Sequence, residues 1–100
     1  MVYKELNTQE DFQSALGTQG KYVLIYAHED GVPAIAEEYS EKNAAKCDSY
    51  QVDLTKNPYV KGMMDMNEWP SVIVFKDGQE VKRAVGAKPD DLQAIGALFQ

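Results

Sequence analysis

The chain has 100 residues, 44% of them apolar and 26% charged, with a formal net charge of −6 and a pI near 4.6. That is enough for one hydrophobic core and no second one, so a single domain over 1–100 is expected. The acidic balance argues against nucleic acid and anionic membrane as partners, because both select clustered Lys and Arg.

In chain order, Val2–Leu6 alternates weakly and reads as a short strand. Asn7 or Thr8 caps a helix with Glu10 and Asp11 in its first turn; Phe12, Ala15 and Leu16 give its apolar spacing up to Gly17. Tyr22–Ala27 is uniformly apolar and reads as a central strand covered on both faces. From Pro33 to Lys46 the pattern is helical, with Ile35, Ala36, Tyr39 and then Ala44 or Ala45 as the apolar stripe and Glu37, Glu38, Glu41 and Lys42 on the wet face. Ser49–Leu54 is a strand, and Lys56-Asn57-Pro58 opens a short helix ending near Gly62 to Met64. Ser71–Lys76 is a strong strand, Asp77-Gly78 a tight hairpin signal, and Gln79–Val85 the partner strand. Gly86–Lys88 is a loop. Pro89-Asp90-Asp91 opens a last helix carrying Leu92, Ile95, Leu98 and Phe99. The order β-α-β-α-β-α-β-β-α predicts an α/β fold, a mixed sheet of about five strands flanked by four helices.

Cys47 is the only cysteine, so no disulfide forms within one chain and no Cys-only zinc site exists. No apolar run reaches the roughly 18 residues of a membrane span. Nor do the opening residues carry the apolar stretch of a secretory signal, and a cytoplasmic location is expected. His28-Glu29-Asp30 holds three ligand-type side chains, but neighbours on an extended segment point opposite ways. With no second His in the chain, neither a metal nor any other cofactor is expected.

Trp69-Pro70 before a strand, Phe75-Lys76-Asp77-Gly78 closing a hairpin, and the segments "VDLTKNP" (52–58) and "WPSVIVFKDGQEVKRAVGA" (69–87) together resemble the thioredoxin family. The resemblance runs ungapped from Tyr22 to the C-terminus. It implies the thioredoxin fold, a cis Trp69-Pro70 bond, and a loop beside the strand-to-helix turn that exposes backbone groups able to pair with an extended peptide. The family's Trp-Cys-Gly-Pro-Cys motif falls on Glu29, Asp30, Gly31, Val32 and Pro33. Asp30 stands at the attacking cysteine and Pro33 at the resolving one. The family's buried Asp falls on Leu24, and the Lys beside it falls on Gln51. Disulfide exchange needs a thiolate, which neither Asp30 nor Pro33 supplies.

The resemblance therefore implies a redox-inactive, thioredoxin-like protein, with no dithiol-disulfide oxidoreductase activity, that binds a protein or peptide. The binding residues it implies are Trp69, Pro70, His28, Glu29, Asp30, Gly31, Gly86 and Ala87. Asp30 is expected to cap the following helix, with Pro33 in that helix's first turn. Met63 or Met64, with Met66, fills the core, and Met66 matches an apolar position. Two alternatives stand beside this reading. Cys47 would act as a monothiol in glutathionylation or thiol sensing, or the chain would self-associate, as a homodimer, through the face around Trp69.

Overall fold

The computed structural model describes residues 3–100. Five strands, β1 (Lys4–Glu5), β2 (Tyr22–His28), β3 (Cys47–Asp53), β4 (Ser71–Lys76) and β5 (Gln79–Ala84), form one sheet in the order β1-β3-β2-β4-β5. The first three run parallel; β4 is antiparallel to β2, and β5 to β4. Four helices connect them: α1 (Gln9–Leu16), α2 (Ala34–Lys42), α3 (Tyr59–Met63) and α4 (Pro89–Ala97). A single 3-10 turn, Val85–Ala87, leads into α4.

Alternation along β2 divides the core. Val23, Ile25 and Ala27 face α1 and α3, packing with Phe12, Val60, Met64 and Met66. Leu24 and Tyr26 face α2 and α4, packing with Val72, Ile95 and Phe99. Side chains on a strand point to opposite faces in turn, so an unbroken apolar run is what a strand covered on both sides requires.

Several sequence signals work as local physics demands. Thr8 is the N-cap of α1: its hydroxyl accepts from Asp11 N–H at 3.1 Å, and the Asp11 carboxylate accepts from the backbone N–H groups of Asn7 and Thr8. These contacts hold the Asp11 carboxyl below the usual carboxylate range. Asp77 and Gly78 both have positive φ, 52° and 84°, as a two-residue hairpin turn requires. The Asp77 carboxylate also accepts from Gly20 N–H at 3.0 Å, fastening the hairpin to the loop before β2.

Helix α2 departs from expectation. It ends at Lys42 rather than Lys46, because the Asn43 side-chain amide donates to Tyr39 C=O at 2.9 Å and residues 43–46 turn away. Its expected apolar stripe is not a buried face. Ile35 is 76% exposed and Tyr39 41%, and the one fully buried residue of the helix is Ser40. Ser40 and Ser49 hydroxyls pair at 3.1 Å, which satisfies both inside the core. Smaller shifts occur at strand ends: β3 starts two residues earlier than expected, and β5 stops at Ala84. The Val2 end of the expected first strand lies outside the described residues.

Candidate functional site

The turn between β2 and α2 is built on His28. This residue is buried at the end of β2, and both ring nitrogens are engaged. Gly31 N–H donates to Nδ1 at 2.9 Å, so Nδ1 is the unprotonated nitrogen; Nε2–H then donates to the Gln51 side-chain oxygen, also at 2.9 Å. Imidazole thus ties the turn to β3. Gly31 has φ 96°, a conformation that carries the chain out of any helical path. Pro33 follows with φ −66° and ψ 152° and serves as the N-cap of α2.

Asp30 is consequently not the cap of α2. The helix starts at Ala34, no side chain caps it, and Asp30 lies exposed on the turn. Pro33 falls one position before the first turn rather than inside it. The residue that organises the turn is His28, and its partner Gln51 is 23 positions away.

The opposing segment runs from Met66 to Ser71. Trp69-Pro70 is cis, and both residues are exposed, Trp69 to 37%. Ser71 fixes this loop from beneath: its hydroxyl donates to Glu68 C=O at 2.7 Å and accepts from Gly86 N–H at 3.2 Å. Gly86 has φ 73°, a left-handed conformation that glycine adopts without strain. Arg83 holds the other end of the segment, donating to Met64 and Asp65 C=O while paired with Glu80.

Lys61, on α3, joins the two halves. Its ammonium pairs with the Glu29 carboxylate at 3.1 Å and sits 3.8 Å from the Trp69 ring centroid. Turn and loop therefore share one continuous face, with Glu29, Lys61 and Trp69 in contact and Pro70, Gly86 and Ala87 beside Ser71. Neither Lys61 nor Ser71 was among the expected site residues. Lys61 lies outside the segments that carry the resemblance and Ser71 inside one of them (69–87), and only their contacts in the fold, with Glu29 and Gly86, reveal their roles.

No sulfur stands on this face's turn. Asp30, Gly31, Val32 and Pro33 occupy it. Cys47 begins β3 opposite Tyr22, whereas Asp53, at the far end of β3, pairs with His28. Six residues of strand, about 20 Å at ~3.3 Å each, separate the thiol from the turn. Cys47 is buried, and desolvation pushes its thiol up to about 11. Among the described residues, no group of three His, Cys, Asp or Glu side chains is arranged to hold a metal. Among the described residues, no helix is long and apolar enough to cross a membrane.

A mixed five-stranded sheet between two helix pairs, with a strand-to-helix turn beside a cis-proline loop, defines a thioredoxin-like protein. The thioredoxin family model matches residues 4–96. Thioredoxins of Staphylococcus epidermidis and Staphylococcus aureus are each 30% identical over 88 residues, covering 84% of this chain and 85% of theirs. Among solved structures, Malassezia sympodialis thioredoxin superposes with a TM-score of 0.77 at 22% identity, covering 97% of this chain and 90% of that one. Plasmodium falciparum thioredoxin gives 0.78 at 22% identity, with coverage of 97% and 99%. The chain belongs to the thioredoxin family.

Proposed function

We propose that this member of the family is redox-inactive and acts by binding a protein or peptide through the face made by the turn, the Trp69-Pro70 loop and Gly86-Ala87. The observation that carries the reading is the pairing of an intact face with a turn that has no thiol. Glu29, Lys61 and Trp69 hold the face together, while Asp30 and Pro33 offer no group able to attack or resolve a disulfide. An exposed Trp beside a shallow loop is a typical anchor for a partner. Glu29, Asp30 and Glu68 ring the face on a chain of net charge −6, which favours a neutral or basic peptide. A monothiol role for Cys47 is disfavoured by its burial, its raised thiol and its distance from the face. Self-association uses the same Trp69 surface and is the competing occupant.

Trp69 is the chain's only tryptophan, so its emission reports on this face alone. Titration with short extended peptides of neutral or basic composition should give a saturable change in that emission, unaltered in Cys47→Ser. Peptides that leave the emission unchanged, together with a concentration-dependent dimer lost in Trp69→Ala, would assign the face to a second copy instead.

A further inference from the structure

The sheet face beneath α2 and α4 is incompletely filled, and the sequence explains why. Toward the sheet α2 presents Ala36 and Ser40, while its larger Ile35 points to solvent. Opposite, the Tyr39 hydroxyl lies in the space a Cβ on Gly96 would take, so the two helices meet at a phenol set against a glycine. Between this contact and the sheet opens a cavity of about 640 Å³. Its floor is Leu24, Tyr26 and Val72, Ala36 and Ile95 stand on its walls, and none of its lining side chains is charged. A sealed void of that size would cost more than a domain of this length has to spare. An open apolar site of this volume instead falls within the about 300–1,000 Å³ of small-molecule pockets.

Tyr26 supplies the polar anchor. It is 7% exposed, its ring meets that of Tyr3 edge-on at 6.1 Å, and among the described residues no group hydrogen-bonds its hydroxyl. Among the described residues the one sealed side-chain oxygen or nitrogen without a partner is Glu37 Oε1, so the Tyr26 hydroxyl is not sealed; Tyr26 lines the cavity, where its hydroxyl is free to meet a ligand.

We infer that the cavity between α2, α4 and the sheet is a binding site for an uncharged, mainly apolar small molecule bearing a hydrogen-bond acceptor, which the Tyr26 hydroxyl engages. Apolar walls exclude an ionised ligand, since a charge buried there would lack a counter-charge. Of the three tyrosines lining the cavity, Tyr39 sets its hydroxyl against Gly96 and Tyr3 is engaged with Ser40, which leaves the Tyr26 phenol to fix one acceptor oxygen, such as a carbonyl. The site adjoins the proposed peptide-binding face at Pro33 and Ala87, but its floor and walls lie beneath α2 and α4, and it stands whether or not that face takes a partner.

The probe for testing this is 6-propionyl-2-(dimethylamino)naphthalene, a neutral apolar fluorophore with one carbonyl acceptor. It should bind wild-type protein saturably, with emission moved to shorter wavelength than in water. Ala36→Phe, which fills the cavity, should weaken binding at least ~10-fold. Tyr26→Phe keeps the ring, so it remains informative if the bulkier variant does not fold. It should weaken binding roughly 5–10-fold, the worth of one hydrogen bond, and shift the bound emission further to the blue. Val81→Ser, an exposed apolar residue on β5, should change nothing, and equal loss in this variant would mean surface adsorption and overturn the inference. Absence of saturable binding, or undiminished binding in Ala36→Phe, would overturn the site. An unchanged affinity and emission in Tyr26→Phe would overturn the assignment of its hydroxyl and of the ligand's acceptor.

Discussion

Replacing His28 with Leu is the sharpest test of how the turn is held. The substitution keeps a buried side chain of moderate size at the end of β2 but removes both ring nitrogens. Two hydrogen bonds of 2.9 Å are lost, one from Gly31 N–H and one to the Gln51 side chain. A typical intramolecular hydrogen bond contributes about 1 kcal/mol net. Gly31 is exposed and Gln51 half-buried, so water reaches the groups left behind and the larger penalty for a sealed, unpaired donor does not apply. The expected loss is therefore about 2 kcal/mol. At roughly 4–8 °C per kcal/mol for a domain of this size, that lowers Tm by about 8–16 °C. His28→Asn retains a short acceptor for Gly31 N–H, as in an Asx turn, and should recover about half the loss. Urea denaturation of the three proteins at one pH measures both differences. His28→Leu within about 0.5 kcal/mol of wild type would refute the imidazole bridge, as would His28→Asn being no better than His28→Leu.

Other expectations concern single contacts. Thr8→Ala removes the α1 cap and should cost about 1 kcal/mol by chemical denaturation. Lys61→Met takes the ammonium off the Trp69 ring and away from Glu29. Both partners of that pair are about one-third exposed, so stability should move by no more than ~1 kcal/mol, while Trp69 emission changes clearly; unchanged emission would mean the Lys61–Trp69 contact does not persist in solution. Cys47 is raised from 9.0 to about 11 by burial. The folded state thus holds its proton more tightly than the unfolded state does. Its contribution, on the order of 2–3 kcal/mol, is fully present below pH 9 and is lost as pH rises through 11. Cys47→Ala should make the alkaline decline in stability over pH 9–11 shallower, and an equally steep decline would contradict the burial effect. Tyr3, raised from 10.0 to about 12 by burial, steepens the decline in the same direction.

Signals carried by neighbouring residues were legible in the sequence. The apolar runs of β2 and β4, the Asp77-Gly78 turn and a helix cap at Asn7 or Thr8 each need only a few adjacent positions, and each forms, with Thr8 as the cap. The pattern of helix α2 is ambiguous. Ile35, Ala36 and Tyr39 have the spacing of a buried stripe, yet only Ala36 turns toward the core, and the Asn43 side chain ends the helix before Ala44. Asp30 resembled a cap because acids favour helix starts. What the sequence could not show was that Gly31 adopts a left-handed conformation fixed by His28, which moves the helix start to Ala34. The same limit applies to Lys61, Ser71 and Gln51. Their roles depend on partners brought near by the fold, 32 positions away for the Lys61–Glu29 pair. No local pattern encodes such a meeting.

The central claim is that this thioredoxin-family chain keeps the face and lacks the chemistry. Reduction of insulin by dithiothreitol, followed as turbidity with and without the protein, tests it directly. The account predicts a rate equal to the protein-free blank, for wild type and Cys47→Ser alike. A rate well above the blank that disappears in Cys47→Ser would contradict it.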